Sequence, residues 1–281
     1  MSSVFIAGPA SWNTLVVLDR LPEPVPHMQF AEDSWETVGG TSAGKALSLT
    51  ALGRDVLLYA MSANDGAGMR VRAALADAGV PTLWADAEVT ERHLNLMTRA
   101  GERVSLYLAS PPPGDGADDS AIEAAMQAAD ALVLDLAAEP LRLLPLAQRA
   151  GRPVWVDVHD YDGEAEFHRP FLAAADAVFC NADRLDDPVA FLRSRVAAGA
   201  SLAVCTLGAD GAVAIDSEGN AHRVSAAPVD VVDTNGAGDA FLAGVLDARL
   251  SGATVAQALS AGARSASVVL ASRHLHPLLD H

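Results

Sequence analysis

One lysine, Lys45, and two cysteines, Cys180 and Cys205, stand among the 281 residues of this chain. Two cysteines cannot form a disulfide framework, and no Cys/His spacing matches a metal knuckle. Each cysteine ends an apolar run and reads as a small buried hydrophobe. Positive charge is scarce as well: 19 Lys and Arg face 36 Asp and Glu, for a formal net charge of −17. The resulting field repels phosphate backbones and anionic lipid, which argues against nucleic-acid and membrane-surface binding. No apolar run approaches the roughly 20 residues of a membrane-spanning helix. The opening MSSVFIAGPA also lacks a basic segment ahead of its apolar residues. The expected location is the cytoplasm.

What the chain does hold is apolar mass. Its hydrophobic content of 51% suffices for one large α/β core. Residues 4–8 read as a buried strand and 15–18 as another, followed by a proline-rich turn and loose alternation over 28–38. Helical spacing covers 43–52 and is stopped by Gly53; a strand at 56–61 and a helix from Asp65 to Gly79 follow. Residues 83–108 are strand-like, with a hairpin turn at Ala100-Gly101-Glu102. Thereafter helices at 118–128, 140–150, 164–174 and 188–198 alternate with strands at 131–136, 154–158, 177–180 and 202–207. Strict alternation predicts a parallel sheet covered by helices on both faces. A hairpin (211–215 with 221–224) and helices at 237–249 and 255–271 complete the chain. The expectation is α/β, a three-layer αβα domain over 1–281 with a central mostly parallel sheet. The excursions at about 15–38 and 92–108 are placed to form a small β lid.

Asp233-Thr234-Asn235-Gly236-Ala237-Gly238-Asp239 joins a β-branched run to a helix. The first N–H groups of a helix have no intrahelical partner, and glycine lets them close on an anion. Asp239, one turn inside, is placed to aim a carboxylate at whatever attacks that anion. A second glycine run, Gly39-Gly40-Thr41-Ser42-Ala43-Gly44-Lys45, fits GxxxxGK of a P-loop, and Leu132-Val133-Leu134-Asp135 could serve as its metal-holding strand. Ala46, however, stands where a P-loop needs Ser or Thr for Mg²⁺. The competing reading is a Gly-Gly turn that brings a helix start close to a small polar ligand.

DTNGAGDAF (Asp233–Phe241) resembles the carboxyl-terminal signature of the ribokinase-like (PfkB) family of carbohydrate and nucleoside kinases, and GGTSAGKALSLTALG from Gly39 resembles its amino-terminal signature. The resemblance implies a ribokinase-like fold and an ATP-dependent kinase that transfers the γ-phosphoryl group to a hydroxyl of a sugar, nucleoside or related small polyol. It implies Asp239 as general base and Gly236, Ala237 and Gly238 as the anion hole. Asn13, Gly39, Gly40 and Lys45 are then acceptor-binding; Asn181, Thr206, Gly208 and Gly211 are nucleotide-binding. Mg²⁺ accompanies ATP with Asp183 nearby, Asp233 lies by a monovalent-cation site suited to K⁺, and a homodimer forms through the lid.

Three positions depart from the family pattern. Gly44 replaces an asparagine that binds sugar hydroxyls, Asn13 an aspartate, and Arg184 a glutamate that organises Mg²⁺. Gly44 and Arg184 favour an alternative, a non-catalytic sugar- or nucleotide-binding protein that keeps the kinase fold, whereas the intact Asp239 opposes it. The P-loop NTPase built on Gly39–Lys45 is the third reading.

Overall fold

Alternate residues of the first strand sort the molecule into layers. In the computed structural model, which describes residues 2–280, β1 (Ser3–Ala7) sends Val4 and Ile6 to one core and Phe5 and Ala7 to another. The chain continues through β2 (Ser11–Leu18), β3 (Asp33–Gly39), α1 (Thr41–Ala51), β4 (Asp55–Ser62), α2 (Gly66–Asp77), β5 (Thr82–Asp86), β6 (Arg92–Thr98) and β7 (Arg103–Ala109). Next come α3 (Asp119–Ala128), β8 (Ala131–Leu134), α4 (Ala138–Ala150), β9 (Val154–Asp157), α5 (Arg169–Ala174), β10 (Ala177–Asn181) and α6 (Pro188–Ala197). β11 (Leu202–Thr206), β12 (Ala212–Asp216), β13 (Ala221–Val224), α7 (Ala237–Leu250) and α8 (Val255–Leu270) end the order.

The main sheet runs β13-β12-β11-β10-β9-β8-β1-β4-β5. Its pairings from β11 to β5 are parallel, and β12 and β13 join antiparallel at one edge. Helices α1, α2, α7 and α8 supply one core, and α3 to α6 supply the other. Burial on both faces explains why strands such as ALVL and VWVD read as apolar runs without alternation. α7 and α8 approach closely through Gly244 and Gly262, where a Cβ would meet backbone of the facing helix at 2.8 Å. That packing fixes the axis of α7. The start of α2 is held by Asp65, whose carboxylate accepts from the N–H groups of Gly68 (2.7 Å) and Thr90 (3.2 Å). Such a cap contributes about 0.5–2 kcal/mol.

A second, four-stranded sheet has the order β3-β2-β6-β7. β2 pairs antiparallel with β3 and parallel with β6, and β6 turns back on β7 near Gly101. Three boundaries differ from the sequence reading. Thr82–Asp86 lies at the edge of the main sheet, so the strand-like run from 83 is divided between two sheets. Within 19–32 there is no strand, because Pro22, Pro24 and Pro26 remove backbone donors; the excursion consists of β2, which begins at Ser11, and β3. The helix expected over 164–174 opens as a 3₁₀ turn, Glu166–His168, and becomes α-helical at Arg169, where Pro170 sits in the first turn.

Candidate active site

Parallel strands all deliver their carboxyl ends to one side of the sheet, and in this chain those ends are polar. Asp135 follows β8, Asp157 ends β9, Asn181 ends β10 and Thr206 ends β11. A cleft of about 760 Å³ opens there, walled by the strand ends, by the start of α7 and by one face of the small sheet. Asn13, Gly39, Gly40, Asn181, Asp183, Thr206, Asp233, Gly236, Gly238 and Asp239 all border it. Residues spread from 13 to 239 thus share one cavity.

The glycines of the first motif make room for it. A Cβ on Gly39 would lie 2.0 Å from Nδ2 of Asn13, and one on Gly40, at φ 94°, would lie 2.4 Å from the Pro9 carbonyl. Asn13 is buried and its Oδ1 accepts from the Ser11 hydroxyl at 2.8 Å, which leaves the amide N–H groups to the cleft. At the other motif Gly236 caps α7 in the left-handed region at φ 78°, and Asp233 holds the turn before it. Both oxygens of Asp233 accept from the Asn235 amide (2.8 and 3.0 Å), and one also accepts from its N–H (3.0 Å). Arg103 on β7 reaches Oδ1 of Asn235 at 2.5 Å, tying the small sheet to this turn. The Ala237 N–H makes only a 3.4 Å bond to the Thr234 carbonyl, and no acceptor for the Gly238 N–H occurs among the described residues. The start of α7 therefore presents N–H donors to the cleft.

Beneath it lies a buried charge cluster. The Lys45 ammonium is 2.6 Å from Oδ1 of Asp239, 2.9 Å from Oδ1 of Asp135 and 3.7 Å from Oδ2 of Asp157, and Lys45 is 0% exposed. The Asp135 contact is short but poorly aligned, an ion pair without a hydrogen bond through Oδ1; its Oδ2 accepts from the Ser42 hydroxyl at 2.6 Å. Burial disfavours the ammonium, yet Asp135, Asp239 and Asp157 outweigh it and hold the Lys45 pKa above its ordinary value. Burial acts on Asp239 too and, with Asp135 adding repulsion, pushes its carboxyl up to about 6 despite Lys45. Asp157 is held below the usual carboxylate range: burial opposes this, but His159 and Lys45 prevail. His159 has φ 49°, a backbone conformation uncommon outside glycine, at the wall of the cleft. Gly44 lets α1 and α7 meet at this point, since a Cβ there would lie 2.9 Å from Oδ2 of Asp239 and 3.1 Å from its Cβ.

The geometry departs from three expectations. Lys45 lies below the cleft and its ammonium is committed to three carboxylates, so it does not reach an acceptor in the cleft. The P-loop reading fails for the same reason. It fails topologically as well, because β3, which leads into Gly39, belongs to the small sheet and pairs antiparallel with β2. Gly208 opens a 3₁₀ turn after β11 that Gly211 caps, and neither borders the cleft. A Cβ on Gly211 would meet the Val224 carbonyl at 2.0 Å, so that glycine serves the β12–β13 edge. Arg184 is exposed and faces Asp162 at 3.6 Å. Among the described residues no group of three or more His, Cys, Asp or Glu is placed to hold a metal.

The sequence reading missed the wall supplied by the small sheet. Glu91, just before β6, and His93 and Asn95 within it are buried polar residues at alternate positions, with Arg92 and Leu94 between them. His93 Nε2 lies 2.9 Å from Oε1 of Glu91, and its ring packs on Tyr107 with centroids 4.0 Å apart. A period-two row of polar residues in a strand marks a face that meets ligand or water, and that was the available signal. Tyr59, Glu139 and Arg142 form a second unread network: the Tyr59 hydroxyl donates to Glu139 at 2.8 Å and Arg142 to the same carboxylate at 2.7 Å.

Comparison with known proteins agrees with this geometry. The pattern of the pfkB family carbohydrate kinases matches residues 18–278. The acarbose 7(IV)-phosphotransferase of Actinoplanes sp. is 31% identical over 269 residues, covering 93% of this chain and 90% of that protein. The aminoimidazole riboside kinase of Salmonella typhimurium is 29% identical over 276 residues, with 88% and 80% covered. A solved structure of a microbiome-derived acarbose kinase superposes with a TM-score of 0.85 at 28% identity, covering 100% of this chain and 99% of that one. With the match running from the end of β2 to beyond α8, the chain belongs to the pfkB family of carbohydrate kinases.

Proposed function

We propose that this chain transfers the γ-phosphoryl group of ATP to a hydroxyl of a sugar or a related small polyol or nucleoside, with Asp239 as general base and the N–H groups of Gly236, Ala237 and Gly238 as the anion hole. The observation that carries this reading is one of placement. A buried carboxylate with one oxygen free of hydrogen bonds among the described residues stands one turn behind a helix start whose N–H groups lack strong partners. The acceptor lies against the small sheet, where Asn13, Glu91, His93 and Asn95 present alternating donors and acceptors and Tyr107 presents a ring face to sugar C–H groups. ATP lies across the ends of β10 and β11, beside Asn181 and Thr206, with its γ-phosphate at α7. In transfer the acceptor oxygen bonds to the γ-phosphorus while the bond to the bridging oxygen breaks, and Asp239 takes the hydroxyl proton. Charge spreading over the transferred oxygens is met by the N–H groups of α7. Mg²⁺ would be carried mainly by the ATP phosphates and water, with Asp183 at the cleft wall as its outer partner, and would supply charge neutralisation there. The small sheet, tied to the site through Arg103, acts as a lid of the single domain.

Since the base works only when ionised, kcat/KM is expected to fall as pH drops through about 6, the value to which burial lifts Asp239. A profile flat from pH 5 to 8 would remove Asp239 from this role. K⁺ is expected to raise turnover through the turn held by Asp233; equal rates in Na⁺ and K⁺ buffers would exclude that part.

The non-catalytic alternative shares every binding feature and differs in turnover alone. A panel of sugars, amino sugars and nucleosides incubated with ATP and Mg²⁺, with phosphorylated products read by mass spectrometry, separates the two. Acarbose, the substrate of two similar kinases, is the first acceptor to try. Binding of ATP without any phosphorylated product across the panel would favour the binding protein.

A further inference from the structure

We propose that Lys45 is a positioning residue for phosphoryl transfer: its buried ammonium, anchored to Asp135 and Asp157, clamps Oδ1 of Asp239 and so aims Oδ2 at the acceptor hydroxyl. The inference rests on Asp239 being the base.

Lys45 is the only lysine of the chain, which otherwise uses arginine for positive charge, and it is wholly buried. A buried ammonium is costly to desolvate, and a single carboxylate is enough to neutralise it. Here it has three, from three separate elements: Asp135 after β8, Asp157 at the end of β9 and Asp239 on α7. The surplus of negative charge has a use in the reaction. As the acceptor oxygen bonds to the γ-phosphorus and ADP departs with the electron pair of the broken bond, the hydroxyl proton passes to Oδ2 and Asp239 becomes neutral. Asp135 and Asp157 then still balance the ammonium, so proton uptake does not strand a buried cation. Lys45 itself transfers no proton. Gly44 completes the arrangement by keeping the space beside Oδ2 open.

The charged groups facing Asp239 are Lys45 from α1, Asp135 after β8, and Asp157 and His159 at the end of β9. Their signs give opposite expectations for two variants. Lys45→Met removes the cation, so the acid limb of the kcat/KM profile should move up by about one to three pH units, and kcat at pH 7 should fall while ATP affinity is kept. Asp135→Asn removes a like charge, so the limb should move down. A merely structural role for Lys45 would lower the amount of folded enzyme without moving the limb.

The experiment is a pair of pH–rate profiles on purified full-length variants, with ATP binding measured by calorimetry and folding by circular dichroism. A folded Lys45→Met whose limb stays in place overturns the inference. If that variant does not fold, Asp135→Asn decides: a downward shift supports the inference, and an unmoved or raised limb overturns it. Asp239→Asn run alongside separates the two levels. Should it keep wild-type turnover, the base assignment itself fails; should it lose turnover while the limbs of the other variants stay in place, only the role of Lys45 fails.

Discussion

Replacing Asp239 with asparagine should lower kcat by about 10²–10⁴-fold, the usual contribution of a positioned general base, while ATP affinity stays close to that of the parent enzyme. The amide has the shape of the carboxylate, and its oxygen can still accept from Lys45, which sits 2.6 Å from Oδ1. Lys45 also keeps Asp135 and Asp157, so the buried cluster remains compensated and the protein should fold. What is lost is a site for the hydroxyl proton. In the proposed mode ATP would lie against the start of α7 and the ends of β10 and β11, none of which changes. Steady-state kinetics with the best acceptor, paired with calorimetric titration of ATP, checks both halves. A variant within a few-fold of wild-type kcat would show that the proton leaves by another route.

Gly44→Asn introduces the side chain that the family pattern implies at this place and is nevertheless expected to reduce kcat/KM by on the order of 10²-fold. The reason is steric. The new Cβ would lie 2.9 Å from Oδ2 and 3.1 Å from Cβ of Asp239, and both α1 and α7 are packed in the core around it. Asp239 must therefore shift, and an error of about 1 Å in a reacting group costs about that much rate. Gly44→Ala should show a smaller loss in the same direction, because it adds the clashing atom without the amide. Wild-type kinetics in Gly44→Asn would mean that the helices part freely and that the close approach has no bearing on the base.

These two positions also show where the sequence could be read and where it could not. The alternation of helix and strand from 118 onward, and a glycine turn at 233–239 leading into a helix, are local patterns, and both appear in the structure as expected from their spacing. The Gly-Gly pair was legible as a close approach, although its two causes, the Asn13 amide and the Pro9 carbonyl, lie in a strand and a turn that only the fold brings near. Gly44 was different. Taken alone it signals a lost polar contact, and its steric meaning exists only once α7 is packed against α1. Lys45 was misassigned for the same reason: its partners lie about 90, 112 and 194 residues away in sequence, on elements that converge only in the sheet. A lone lysine in a helix that is otherwise uncharged was the one available hint. Gly211 resembles a phosphate loop in sequence but is required by the Val224 carbonyl across a hairpin. The polar row Glu91, His93 and Asn95 was readable from its period of two and went unread because the strand was treated only as part of a lid.

The most direct test of the account is a single-turnover reaction with γ-labelled ATP and an acceptor found in the panel, run with wild-type enzyme and with Asp239→Asn at equal ATP occupancy. Label should pass to the acceptor hydroxyl with wild type, with ADP formed in equal amount, and transfer should be slower by at least about 10²-fold in the variant. Equal transfer by the two proteins, or ADP release by wild type without label on any acceptor, would contradict the assignment of this cleft as a phosphoryl-transfer site built around Asp239.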